Sequence, residues 1–218
     1  MPPAWQTHLP NLITMLRLVL AAGFFVSLQF YWHGRTGPTG VNIAVILFIL
    51  AAGTDALDGY LARRWNVVSL FGRIMDPVCD KVLIIGAFIC LAGPRFVMPE
   101  RAADGHLFAM STGVYSWMVV VIVFRELLIT GMRSVAEALN VDFSANWWGK
   151  WKMILQTIMI PTVLVIAANL DLHEHRWAVW FRDALVWLTL IVTVGSGVPY
   201  VLQCRRVFRE MNSGTSNA

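Results

Sequence analysis

The stretch VNIAVILFILAAGTDALDGYLARRWNVVSLFGRIMDPVCDKVLIIGAFICLAG, residues 41–93, decides how this chain folds. Two apolar runs, VNIAVILFILAAG and VLIIGAFICLAG, flank a segment that carries Asp55, Asp58, Asp76 and Asp80. Runs of about twenty apolar residues are long enough for a helix to cross a bilayer. Carboxylates in such a setting are costly and need a partner or a polar cavity. The stretch therefore reads as two antiparallel helices joined at the ARRWNVVS turn, with four acids gathered near their shared end.

The rest of the chain agrees. Of its 218 residues 57% are hydrophobic and only 14% charged, whereas a soluble globule carries about 25% charged residues. Six candidate spans follow one another at about 12–31, 41–62, 71–93, 113–136, 151–170 and 178–202. Polar or Gly/Pro-rich breaks such as HGRTGPTG, GPRFVMPERAADGH and DLHEHRW separate them. The expected fold is an all-α integral membrane protein, a six-transmembrane-helix bundle forming a single domain over residues 1–210, with a disordered tail at 211–218. MPPAWQTHLPN lacks the basic start and small-residue cleavage site of a signal peptide, so the first run is expected to stay as a span. Cys79, Cys90 and Cys204 give neither a disulfide framework nor a zinc spacing and read as reduced thiols.

Charge placement sets the orientation. With the N-terminus cytoplasmic, twelve of the 17 Lys and Arg residues fall on one side and five on the other, so both termini are expected to be cytoplasmic. The net charge of +4 is thus a matter of loop placement rather than a sign of nucleic acid. Trp32, Trp147, Trp148, Trp151 and Trp177 fall at span ends, as an interfacial aromatic belt requires.

On helices, Asp55, Asp58 and Ala62 share one face, and Gly72, Asp76 and Asp80 another. Facing each other across the turn, they bring four carboxylates to one pocket. Salt bridges to Arg63, Arg64, Arg73 and Lys81 are the plainer account, but like-charged carboxylates on one face repel unless something cationic lies between them. A divalent metal does this, and an all-oxygen ligand set favours Mg²⁺ or Mn²⁺ over zinc. A carboxylate-bound pair of such ions holds phosphates and clamps the oxygens of a displacement, and Arg63 would neutralise phosphate oxygens further. These residues point to a membrane enzyme that handles a phosphorylated or diphosphate substrate at the cytoplasmic interface.

The pattern Asp55-x2-Asp58-Gly59-x2-Ala62-Arg63-x8-Gly72-x3-Asp76-x3-Asp80 resembles, without departure, the signature of the CDP-alcohol phosphotransferase family. The resemblance implies a six-helix membrane bundle, a homodimer, and attack by an alcohol on the β-phosphorus of a CDP-linked lipid with CMP leaving. It implies two Mg²⁺ or Mn²⁺ ions held by Asp55, Asp58, Asp76 and Asp80, with Asp80 also the base that takes the acceptor's proton. Gly59, Ala62, Arg63 and Gly72 resemble the part that receives CDP-diacylglycerol, with Ser69 a further contact.

The acceptor has to be read from elsewhere. NLITMLRLVLA (11–21), FRELLITGMRSVAEALN (124–140) and WWGKWKMILQ resemble segments of bacterial family members whose acceptor is glycerol 3-phosphate, with Met153 where those have Thr. That likeness implies the bacterial cytoplasmic (inner) membrane, with membrane lipids around the chain and the active site facing the cytoplasm. Arg125, Arg133, Lys150 and Lys152 are the candidate acceptor-phosphate residues; a positive-inside loop touching anionic lipid headgroups is the plainer account of them. Inositol phosphate, serine or phosphatidylglycerol as acceptor, and a cation-coupled transporter, are the alternatives. Charge gathered at one face and the absence of an inverted repeat weigh against a transporter. His173-Glu174-His175 reads as a solvated loop, and Gly195-Ser196-Gly197 with Pro199 as a packing point or kink in the last span.

Overall fold

A computed structural model describes residues 4–65, 70–103, 109–138, 147–172 and 174–203; side chains are described for these except at 4–11, 56, 58–65, 70–74, 76–77, 101, 137–138 and 148. The described residues form helices α1 (Ala4–Gln29), α2 (Thr39–Trp65), α3 (Leu70–Leu91), the short α4 (Pro99–Ala103), α5 (Ser116–Ala138), α6 (Trp147–Asn169) and α7 (Arg176–Gly195). Helix resumes after Ser196 and Gly197 and runs to Gln203. Among the described residues the fold is all-α, with a single isolated bridge, Val97 to Met110. The six long helices coincide with the six apolar runs of the sequence.

Length and composition alone qualify three of them to cross a membrane: Leu12–Gln29, Gly149–Asn169 and Arg176–Gln203, with Thr39–Asp55 a shorter apolar stretch. The other long helices carry the ionisable residues of the candidate site. Asp55 and Asp58 interrupt α2, Arg73, Asp76, Asp80 and Lys81 open α3, and Arg125 and Glu126 lie inside α5.

Helix α1 packs along α2 and α3, α2 against α6, and α7 against α5 and α6. Their contact line is aromatic and aliphatic. Phe24, Phe48, Phe88, Leu91, Met118, Ile122, Met159, Ile160 and Leu164 are wholly buried, and the Phe24 and Phe48 rings lie 5.5 Å apart. Close packing of this kind contributes through many small dispersion contacts. The outer surface is just as apolar: Val19 is 68% exposed, Val120 67% and Ile191 64%. A water-facing bundle would place polar side chains there; a lipid-facing one has no reason to. The protein is a membrane protein.

One end of the bundle is closed by residues 30–38, 92–103, 109–115, 170–172 and 174–175. His33 N–H donates to the Arg95 carbonyl (2.8 Å), the Tyr31 hydroxyl to the Ala167 carbonyl (3.2 Å), and Arg95 Nη1 to the Gln29 carbonyl. Arg182 of α7 donates Nε to Asp183 (2.8 Å) and Nη1 to the Ser111 carbonyl (2.7 Å). Gly113 makes room for this, with φ +69°, and a Cβ there would stand 2.7 Å from Asp183 Oδ1. The opposite end, where α2 ends and α3 begins, carries the candidate site.

Candidate active site

The chemistry begins at α2 and α3. Each places one described carboxylate inward, Asp55 and Asp80, both partly exposed. Asp80 lies within electrostatic range of Asp55 and Glu126, and of Arg17 and Lys152. Arg17, from the middle of α1, is 1% exposed and sets Nη1 2.7 Å from Asp55 Oδ1. A cation delivered through the core to a half-exposed carboxylate fixes that carboxylate's position.

A small pocket joins Asp80 and Lys81 of α3 to Glu126 of α5 and to Lys152 and Gln156 of α6. In its wall Glu126 Oε1 accepts from Lys152 Nζ at 2.5 Å and from Arg125 Nη1 at 3.1 Å. Arg125, Glu126 and Lys152 are all buried. Arg125 also donates Nη2 to Ser196 Oγ at 2.8 Å, at the break between α7 and its last helical turns. There Ser196 Oγ donates to the Thr193 carbonyl (2.7 Å), and Gln156 Nε2 to Thr193 Oγ1 (3.3 Å). The Gly195–Gly197 segment is thus a kink, as its sequence suggests, and Arg125 docks on it.

The expected site residues are placed unevenly. Asp55 and Asp80 come together. Asp58, Gly59, Ala62 and Arg63 lie on α2 and Gly72 and Asp76 on α3, but their side chains are outside the described residues, as is Ser69 altogether. Of the four expected acceptor cations, Lys152 lies beside Asp80 in the pocket and Arg125 is joined to it through Glu126. Arg133 does not join them; it donates Nη2 to the Tyr200 hydroxyl at 3.1 Å. Lys150 is exposed, with Nζ 5.5 Å from the centre of the Trp147 ring. His175 of the 173–175 loop contacts the Asp171 carbonyl at 3.2 Å; His173 is outside the described residues.

Arg17, Glu126 and Ser196 belong to this site, and sequence reasoning assigns none of them a role. Their only local signal is that Arg17 and Glu126 are ionisable residues within apolar runs, which by itself marks a functional position. Their partners lie on other helices and cannot be read from spacing.

The described donors fit a hard divalent cation. Asp55 and Asp80 offer carboxylate oxygens from facing helices, and their neighbours are Arg, Lys and Glu rather than the His and Cys of a zinc site. The buried cations alongside are suited to phosphate. A carboxylate and two cations on one pocket can take a proton from a hydroxyl and hold the anionic group attached to it.

Comparison with known proteins agrees with this chemistry. A family model described as CDP-alcohol phosphatidyltransferase matches residues 7–195. The chain is 33% identical over 201 residues to a Bacillus subtilis protein named CDP-diacylglycerol–glycerol-3-phosphate 3-phosphatidyltransferase, covering 88% of this chain and 93% of that one. A Mycoplasma genitalium protein of the same name is 42% identical over 229 residues, covering 96% and 89%. One from Haemophilus influenzae is 28% identical over 196 residues, covering 89% and 91%.

Proposed function

The chain belongs to the CDP-alcohol phosphatidyltransferase family, and from that premise we propose that it transfers the phosphatidyl group of CDP-diacylglycerol to glycerol 3-phosphate, giving phosphatidylglycerophosphate and CMP. The observation that carries the acceptor is the placement of buried Lys152 in the wall of the pocket that holds Asp80, with Arg125 tied to it behind that wall through Glu126. An acceptor with its own phosphate can set that phosphate against the cations and its hydroxyl toward Asp80.

In this reading Asp80 accepts the proton of the acceptor hydroxyl. The hydroxyl oxygen forms a bond to the phosphorus that carries diacylglycerol, and the bond from that phosphorus to the bridging oxygen breaks, its electron pair leaving with CMP. Mg²⁺ or Mn²⁺, two ions held by Asp55, Asp58, Asp76 and Asp80, would supply charge neutralisation for the diphosphate. Arg17 holds Asp55 in place. Gly59, Ala62, Arg63, Ser69 and Gly72 are the proposed CDP-diacylglycerol contacts. Holding both reactants in one orientation removes much of the entropic barrier to their meeting.

The proposal extends to the setting. All six long helices span the bacterial inner membrane, both termini and the site face the cytoplasm, and the chain works as a homodimer. The lipid substrate then reaches the site from the bilayer and glycerol 3-phosphate reaches it from water.

The test is CMP release by the purified full-length protein in lipid–detergent micelles, with CDP-diacylglycerol, Mg²⁺ or Mn²⁺, and a panel of acceptors. Glycerol 3-phosphate is expected to be used in preference to the others. A preference for inositol phosphate, serine or phosphatidylglycerol would overturn the acceptor and leave the family reaction standing.

A further inference from the structure

We infer that Glu126 is a positioning residue for the acceptor, holding Lys152 and Arg125 as a prepared pair of cations for its phosphate. The inference rests on the reading that the acceptor carries a phosphate. A buried carboxylate in the wall of an anion site is otherwise out of place, because its charge opposes the ligand's. Its geometry gives the reason for it. A single oxygen, Oε1, accepts from Lys152 Nζ at 2.5 Å and from Arg125 Nη1 at 3.1 Å. Two buried cations with no anion between them repel and pay for desolvation as well. With Glu126 between them, helices α5 and α6 can bring Lys152 to the pocket wall with Arg125 directly behind it.

The arrangement does not use up the cations. Lys152 and Arg125 carry two positive charges against the single negative charge of Glu126, and the pocket adds Asp80, within electrostatic range of Lys152, and the cation Lys81. Lys152 gives Glu126 one of its three N–H donors. Arg125 Nε is buried and has no hydrogen-bond partner among the described residues. An arriving phosphate therefore meets Lys152 donors already in place, while the Arg125 guanidinium behind them is turned toward Ser196 and Gly197 of the α7 break. The Ser196 hydroxyl holds the far side of the guanidinium at 2.8 Å, and fixing groups in advance lowers the ordering cost of binding.

A residue of this kind acts on acceptor binding more than on the chemical step. At saturating acceptor the phosphate itself can draw the two cations together, so removing Glu126 should raise KM and spare kcat. In the purified full-length protein, Glu126→Gln is expected to raise KM for glycerol 3-phosphate about tenfold or more, while kcat falls less than about threefold and KM for CDP-diacylglycerol stays within about twofold. Glu126→Asp, which keeps the charge on a shorter arm, is expected to recover most of the loss, and Ser196→Ala to raise the same KM by about threefold. A merely structural Glu126 would lower expression and kcat without separating the two substrates' KM values.

The inference is overturned if folded Glu126→Gln keeps the parental KM for glycerol 3-phosphate, or if kcat and both KM values change together. If Glu126→Gln does not accumulate, Ser196→Ala decides: a rise in the glycerol 3-phosphate KM alone supports the prepared cluster, and no rise removes it. If the parent itself prefers an acceptor without a phosphate, the acceptor reading fails and this inference with it. A parent that prefers glycerol 3-phosphate beside an unaffected Glu126→Gln removes Glu126 alone.

Discussion

Both ends of the bundle bury an arginine, and they complete its bonding differently. At the end closed by the connecting segments, Arg182 gives Nε and Nη2 to the half-exposed Asp183 and Nη1 to the Ser111 carbonyl. Its single charge meets a single charge. At the other end Arg125 and Lys152 share one oxygen of Glu126, and Arg125 Nε has no partner among the described residues. One end is electrostatically closed and holds the helices together. The other gathers Lys152, Glu126 and Arg125 beside Asp80 among the described residues, an arrangement that the proposed function completes with a ligand. The same residue type thus serves stability at one end and binding at the other, and its neighbours decide which.

Substitutions at the two ends should therefore separate activity from stability. The largest effect belongs to Asp80→Asn. Removing the proposed base is expected to lower kcat about a thousandfold or more, with the thermal unfolding midpoint in detergent close to the parent's. Turnover near the parental rate in the CMP-release assay would move the proton to another group. Next is Lys152→Met, which keeps the apolar stem and deletes the charge. It should lower kcat/KM for glycerol 3-phosphate about thirtyfold, in line with the loss of a charge-assisted hydrogen bond of roughly 2 kcal/mol. An equal loss measured with an uncharged acceptor would show that Lys152 serves the fold rather than the phosphate.

At the closed end the pattern should reverse. Gly113→Ala forces a side chain into φ +69° and places a Cβ 2.7 Å from Asp183 Oδ1 and 3.0 Å from Arg182 Nε. The backbone conformation alone costs about 1 kcal/mol or more for a residue other than glycine. The variant is expected to unfold several degrees below the parent in a thermal melt and to keep parental KM values for both substrates. A changed acceptor KM would mean that the two ends are coupled and that the division drawn between them is wrong.

How far the sequence carried the reading follows the same division. The long helices, three of them of membrane length and apolarity among the described residues, were visible because apolar runs are a local property, readable without knowing what packs on what. Asp55 and Asp80 were visible because their spacing puts them on facing helices across a short turn. The Lys152–Glu126–Arg125 cluster was only half visible. Arg125 and Lys152 announce themselves as cations near the interface, but Arg133 and Lys150 have the same composition and lie elsewhere, on Tyr200 and beside Trp147. Spacing along α5 and α6 does not distinguish them; the rotation of each helix in the bundle does. Arg17 and Glu126 were hidden for a similar reason. Their partners stand 38 and 26 residues away along the chain, on other helices.

The smallest effect tests whether titration at the closed end touches catalysis at all. His33 lies in the connection after α1, with Nδ1 3.0 Å from the Tyr31 hydroxyl. Burial pushes its pKa below the usual histidine value, outweighing the pull of the Ala167 carbonyl in the other direction. A histidine whose folded pKa is depressed favours the fold in its neutral form. Its stabilising effect is therefore complete above the unfolded value of about 6.5 and declines as pH falls below it. His33→Asn should remove that part of the pH dependence, so thermal midpoints of parent and variant recorded between pH 5 and 8 should draw closer as the pH falls. The pH profiles of kcat for the two proteins should superimpose across the same range, because His33 lies among the connecting segments that close the far end of the bundle. A shift in the kinetic profile alone would place a titrating group of that end in the path of the reaction, and the electrostatically closed end would then have to be counted as part of the site.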